Sequence, residues 1–149
     1  MLAALFGAAG IVAGQGNAAP AVKTSAAHRM DKFKHPKLKH GELTIVGTKA
    51  SDKLALRLQS GQPGVLQVDV GDDGSADFSF ARERVATIAV DAAAGDDLVR
   101  IDESNGVFTD SIPTTIDGGD GNDTIAGGKG IETLLGGNGN DSIDGNGGN

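Results

Sequence analysis

From Gly41 onward apolar and polar residues alternate in short runs, the period of a strand with one face buried. The runs are Leu43–Val46, Leu54–Leu58, Val65–Val70, Phe78–Phe80, Ala86–Val90 and Val99–Ile101. Turn-forming residues separate them: Gly47, Ser60-Gly61, Pro63-Gly64, Gly71-Asp72-Asp73-Gly74, Gly95-Asp96 and Asn105-Gly106. No window of this region carries a 3.6-residue period, so it predicts strands throughout. Strands this short belong either to a sandwich or to a stacked β-helix.

Spacing favours stacking. A nine-residue register runs from Gly118 to the end of the chain, and weaker copies precede it. Gly47 to Ala55 sets Asp52 and Leu54 at the offsets that Asp123 and Ile125 occupy later. Gly95-Asp96-Asp97-Leu98-Val99 does the same. Asp52 and Asp97 lie 45 residues apart, five such units, while Asp97 and Asp123 lie 26 apart, one residue short of three. The upstream half is therefore expected to form degenerate turns of one elongated solenoid with loops of irregular length.

The N-terminal region reads differently. Leu2 to Gly14 is an apolar run of signal-peptide length, too short to span a bilayer, and Ala19-Pro20-Ala21 offers an A-x-A cleavage site. Residues 1–21 are expected to be a signal peptide with a helical apolar segment, cut after Ala21; a buried helix is the alternative. No positive residue precedes Lys23, which predicts a natural start further upstream. Residues 22–40 have no apolar period and read as a basic linker. Their histidines, His28, His35 and His40, fit no zinc spacing.

Composition sharpens this picture. The chain has 24 glycines, 5 phenylalanines and neither tyrosine nor tryptophan, which leaves few large apolar side chains to offset backbone ordering. Repeat stacking or a bound ligand must supply part of the order. With no cysteine there is no disulfide framework and no thiolate metal site. The net charge of -7 is unevenly placed: residues 41–149 hold 7 basic and 19 acidic side chains. Such a surface excludes a nucleic-acid partner and suits the collection of cations.

The tail, 118–149, carries that chemistry. Three units follow in strict tandem, Gly118–Ala126, Gly127–Leu135 and Gly136–Asp144, and a fourth opens at Gly145. Glycines at positions one, two and four allow positive φ, so that carbonyl oxygens can converge. The acid at position six (Asp123, Glu132, Asp141) adds a carboxylate beside them. Calcium takes six to eight oxygen ligands in a forgiving geometry, and carbonyls with carboxylates provide them. Position eight (Ile125, Leu134, Ile143) is apolar and is expected to form an inward ladder.

These units resemble the RTX, or haemolysin-type, calcium-binding nonapeptide G-G-x-G-x-D-x-apolar-x of secreted proteins. The resemblance covers 32 of 149 residues. It extends loosely to 41–117, as a degenerate β-helical lead-in of the kind found in secreted actinobacterial-type calcium-binding proteins. It implies an all-β fold, a right-handed parallel β-helix or β-roll solenoid, in which two nonapeptides complete a turn. Carried over residue by residue, one calcium ion would lie between two half-sites. The first is the carbonyls of Gly119 and Gly121 with the Asp123 carboxylate; the second is the carbonyls of Gly136 and Asn138 with Asp141. Glu132 is a further candidate ligand that departs from the pattern. It is one methylene longer than aspartate, Thr114 stands 18 residues before it, and position 150 lies beyond the chain. The resemblance also implies folding coupled to calcium, because unneutralised carboxylates repel.

The expected function is calcium binding by a secreted, extracellular module with a structural or surface-interaction role, its protein or cell-surface partner undefined. The alternative is a non-catalytic part of a larger secreted RTX protease, lipase or cytolysin. No enzyme motif is present: there is no H-E-x-x-H, no G-x-S-x-G and no histidine after His40. The pairs Asp72-Asp73, Asp96-Asp97 and Asp102-Glu103 are sequence neighbours, which point to opposite faces of a strand and make poor acid/base partners. Beyond the signal no apolar segment is long enough for a membrane span. The tail is expected to be the opening of a longer roll.

Overall fold

The computed structural model describes residues 33–148. Eleven strands form two sheets. The first has the order β1-β2-β6-β8-β10, built from Lys37–Lys39, Glu42–Val46, Thr87–Asp91, Thr114–Asp120 and Glu132–Asn138. The second has the order β11-β9-β7-β3-β4-β5. Its strands are Ser142–Asp144, Thr124–Ala126, Leu98–Asp102, Lys53–Gln59, Gln62–Val70 and Phe78–Ala81. A 3-10 turn at Arg82–Arg84 follows β5.

The predicted strands are present; burial alternates in β2, β6 and β7, whereas β3 is buried continuously from Leu54 to Leu58. In β2 and β6 every second residue is buried, placing Leu43, Ile45, Ile88 and Val90 in the core. Register then sets like residues in columns. Ile45 stands beside Val90, Val90 beside Ile116, and Ile116 beside Leu134. In the other sheet Leu54 stands beside Val99, Val99 beside Ile125, and Ile125 beside Ile143. Each fully buried member of such a column contributes about 1.5–3 kcal/mol relative to exposure. Phe108, fully buried in the loop after β7, adds the largest apolar side chain of the core.

The expected fold class is corrected here. A right-handed parallel β-helix or β-roll solenoid would pair every strand in parallel, but these sheets mix directions and no closed solenoid forms. β1 pairs antiparallel with β2, β3 with β4, and β4 with β5. The cause lies in short connections, His40-Gly41 between β1 and β2 and Ser60-Gly61 between β3 and β4. A two-residue connection can only return a strand antiparallel to its predecessor, whereas a parallel neighbour needs a crossover of a dozen or more residues. Gly61 adopts φ +74°, as such a tight reversal demands. The β3–β4–β5 meander is therefore inserted at one side of the sheet.

The signal peptide expected at 1–21 lies outside the described residues. The linker expected at 22–40 differs in its last part: Phe33 is buried, and Lys37–Lys39 pairs with β2 through Leu38 opposite Leu43. The inward ladder at position eight holds for Ile125, which is buried, and is partial at Leu134. Ile143, on the last strand of its sheet, is 46 % exposed because no further strand covers it.

Four turns carry the chain from the first sheet to the second. They run 47–52, 92–97, 118–123 and 136–141, the last two beginning within the ends of β8 and β10, and each ends in an aspartate just before the next strand. Parallel pairing stacks them, with offsets of 26 residues between β6 and β8 and of 18 between β8 and β10. The candidate site lies in this stack.

Candidate metal centre

The last three turns repeat one backbone course. Ala93, Gly119 and Gly137 have φ of +81°, +94° and +98°, and Gly95, Gly121 and Gly139 have +118°, +138° and +141°. Two residue positions thus need left-handed backbone, which glycine adopts without steric cost. Closeness adds to this requirement: a side chain on Gly121 would run into the carbonyl oxygen of Gly95, and one on Gly139 into that of Gly121.

The four aspartates form a ladder. The N–H of Asp52 donates to Asp97 Oδ1 at 2.7 Å, that of Asp97 to Asp123 Oδ1 at 2.8 Å, and that of Asp123 to Asp141 Oδ1 at 3.0 Å. Each bond crosses from one turn to the next. Hydrogen bonds to an ionised acceptor are roughly twice as strong as neutral ones, so the ladder fixes the turns to one another. Asp52, Asp97 and Asp123 are 4 %, 3 % and 2 % exposed, respectively.

The second carboxylate oxygens fare differently. Asp52 Oδ2 accepts the N–H of Thr48 at 2.6 Å. Asp97 Oδ2 and Asp123 Oδ2 are buried and accept no hydrogen bond. A buried charged oxygen without a partner costs several kcal/mol unless it is neutralised. At Asp97 burial, opposed by the Asp52 N–H and reinforced by the charges of Asp123 and Asp52, pushes the carboxyl up to about 7.

Beside Asp123 the surroundings are oxygens. The point where a Gly118 side chain would begin lies 2.6 Å from the Gly136 carbonyl oxygen and closer still to Asp123 Oδ2. Two oxygens from successive turns therefore converge on a space kept open by the absence of a side chain. This donor set, one carboxylate with backbone carbonyl oxygen, suits a hard cation such as calcium. The residues fit the group that the repeats imply.

The predicted ligands separate into three sets. Asp123 and Gly136 are brought together at this space. The carbonyl oxygens of Gly119 and Gly121 face Gly137 and Gly139 of the following turn. Asp141 and Asn138 are not among the groups that meet at the space beside Gly118. Asp141 Oδ1 takes the Asp123 N–H, and its Oδ2 lies against its own Gly136, as Asp123 Oδ2 lies against Gly118. The Asn138 carbonyl accepts the N–H of Gly121 at 2.8 Å, and its side chain donates to Asp120 Oδ1 at 2.9 Å. Among the described residues no three His, Cys, Asp or Glu side chains converge on one point, so any cation here depends on carbonyls.

Glu132 belongs to the opposite row of turns. Its Oε1 accepts the N–H of Gly130 at 3.2 Å, and its carboxylate approaches Gly128, as does that of Glu103. Glu103 is itself occupied: Oε1 accepts from the N–H groups of Phe108 and Thr109 and from the Thr109 hydroxyl, and Oε2 from the Lys129 N–H. Burial acts to raise the Glu103 carboxyl, but these donors outweigh it and hold it below the ordinary range.

Sequence reasoning aligned Asp52 and Asp97 with the repeats without placing them in the ladder. The signal was the five-residue step from position one to the acid, Gly47 to Asp52 and Ala92 to Asp97. It was obscured by the β4–β5 meander and by the loop around Phe108, which stretch the spacing to 45 and 26 residues. Among the described residues no helix is long and apolar enough to cross a membrane. No family profile, curated protein or solved structure matches the chain.

Proposed function

We propose that the chain is a non-catalytic calcium-binding module, exported from the cell, that takes up calcium between the turns 118–123 and 136–141. The observation that carries this reading is the buried Oδ2 of Asp123, which accepts no hydrogen bond while the Gly136 carbonyl oxygen converges on the same space. Asp97 N–H holds Oδ1 of the same carboxylate, so Oδ2 is already oriented before any ion arrives. Preorganisation of this kind lowers the ordering cost of binding. The carbonyls of Gly119 and Gly121 are the further ligands. The ion, when bound, supplies the positive charge that these oxygens lack and draws the two turns together. Export rests on the apolar run and A-x-A site of residues 2–21. Extracellular modules commonly bind calcium with Kd of about 10⁻⁴–10⁻³ M, which suits a site with one central carboxylate.

Calorimetric titration of the chelator-treated chain with calcium chloride tests this. The natural chain is expected to take up calcium, and Asp123→Ala to weaken uptake at least tenfold. Asp141→Ala should have the smaller effect, because the space at Gly118 is met by Asp123 Oδ2 and the Gly136 oxygen and not by Asp141. Uptake unaltered in the double variant Asp123→Ala/Asp141→Ala would remove the assignment.

A further inference from the structure

The turn 92–97 reproduces the geometry of 118–123 with one difference in side chains. Asp91 stands beside Asp117 and Ala94 beside Asp120, so Ala92 is the counterpart of Gly118 and Asp97 of Asp123. The Ala92 N–H donates to the Asp117 carbonyl at 2.9 Å, which holds it in that register. The left-handed positions coincide as well, Ala93 with Gly119 and Gly95 with Gly121. The two turns share the acid, its hydrogen bond from the preceding turn, and a buried Oδ2 without a donor.

Position one differs. At Gly118 the space where a side chain would begin is the space on which Asp123 Oδ2 and the Gly136 oxygen converge. The same holds one turn on, where a side chain on Gly136 would run into Asp141 Oδ2. At Ala92 a methyl group stands there, and it is fully buried. Calcium needs its oxygens at about 2.3–2.6 Å, whereas a carbon atom keeps an oxygen at about 3.3 Å or more. A methyl and a coordinated cation cannot share that space.

We infer that Ala92 closes the Asp97 turn to calcium, leaving a latent second cation site of Asp97 and the Gly118 carbonyl that the loss of one methyl group would open. The inference rests on the calcium-binding reading of the Asp123 turn and adds to it a rule for which turns load: position one decides, as well as the acid at position six. The second oxygens of Asp52, Asp97 and Asp123 thus differ in setting. Asp52 Oδ2 accepts the Thr48 N–H, Asp97 Oδ2 has no donor in a turn whose position one is Ala92, and Asp123 Oδ2 lies beside Gly118.

The test is the number of calcium ions bound per chain, measured by calorimetry or equilibrium dialysis on the full chain. Ala92→Gly is expected to bind one more calcium than the natural chain, and Ala92→Gly/Asp97→Asn to return to the natural number. Asp97→Asn alone, which keeps the shape of the side chain and spares the fold, is expected to leave the natural number unchanged. An unchanged number in folded Ala92→Gly, or the loss of one calcium in Asp97→Asn, overturns the inference while leaving the Asp123 site standing. A natural chain that takes up no calcium overturns both readings together.

Discussion

The backbone N–H of Asp97 donates to Asp123 Oδ1 at 2.8 Å across 26 residues of sequence, and the other oxygen of that carboxylate is buried without a donor. One residue is thus both a structural acceptor and the owner of a buried oxygen without a donor. Asp123→Asn separates these roles. The amide keeps an oxygen for the Asp97 N–H and sets an NH₂ toward the Gly136 carbonyl. In chelator the variant is expected to be more stable by about 1–2 kcal/mol, because an unsatisfied buried acceptor is exchanged for a paired donor. In calcium it should lose the stabilisation that the natural chain gains. Urea denaturation with and without chelator measures both, and lower stability in chelator would show that the carboxylate charge is satisfied without a cation.

Ala93 occupies the left-handed position that glycine fills in the next two turns, at φ +81°. A non-glycine residue there costs roughly 1–2 kcal/mol, partly offset by the greater unfolded-state freedom that glycine brings. Ala93→Gly is therefore expected to stabilise the fold by about 0.5 kcal/mol. A shift of the denaturation midpoint to lower urea would contradict this.

Gly121 has the opposite sensitivity. Its φ is +138°, and a methyl group would overlap the Gly95 carbonyl oxygen. Gly121→Ala should cost about 3 kcal/mol or more, since positive-φ strain and a backbone clash act together. Hydrogen exchange is expected to show protection lost first at 118–126. A variant as stable as the natural chain would mean that the stacked turns can part at little cost.

Arg100 holds Asp72 through two hydrogen bonds of 2.7 Å, from Nε and Nη2. The Arg100 side chain, through these hydrogen bonds first, lowers the Asp72 carboxyl from its ordinary value. The stability gained is present above the unfolded-state value near pH 4 and is lost as pH falls through the lower folded value. Because the arginine is partly exposed, Arg100→Met is expected to cost only about 0.5–1 kcal/mol at neutral pH. The two chains should converge in strong acid, where Asp72 is protonated in both. A difference that stays constant down to that limit would assign the loss to packing instead.

Legibility in the sequence followed the distance over which each feature is decided. Strands such as Leu43–Val46 and Val99–Ile101 were readable because alternation is a local signal. Ser60-Gly61 was equally readable as a turn. Its consequence for strand direction was overridden by the period of the distant tail, and the parallel solenoid expected from that period did not survive the hairpin. The tail stacks at the 18-residue offset its nonapeptides implied, bringing Asp123 and Gly136 together. That each acid turns its second oxygen to the glycine five residues before it, Asp123 to Gly118 and Asp141 to Gly136, was not readable, because residue types at regular offsets do not say which neighbour an oxygen meets. Ala92 and Ala93 conceal the turn 92–97 most completely: they keep the course of the glycines without their composition.

The aspartate ladder has a direction. In every rung the N–H belongs to the earlier turn and the carboxylate to the later one, from Asp52 to Asp97 to Asp123 to Asp141. The stack is therefore polar: each middle turn presents a backbone donor to the turn that follows and a carboxylate to the turn that precedes, so its two ends offer opposite chemistry to any segment that would extend it.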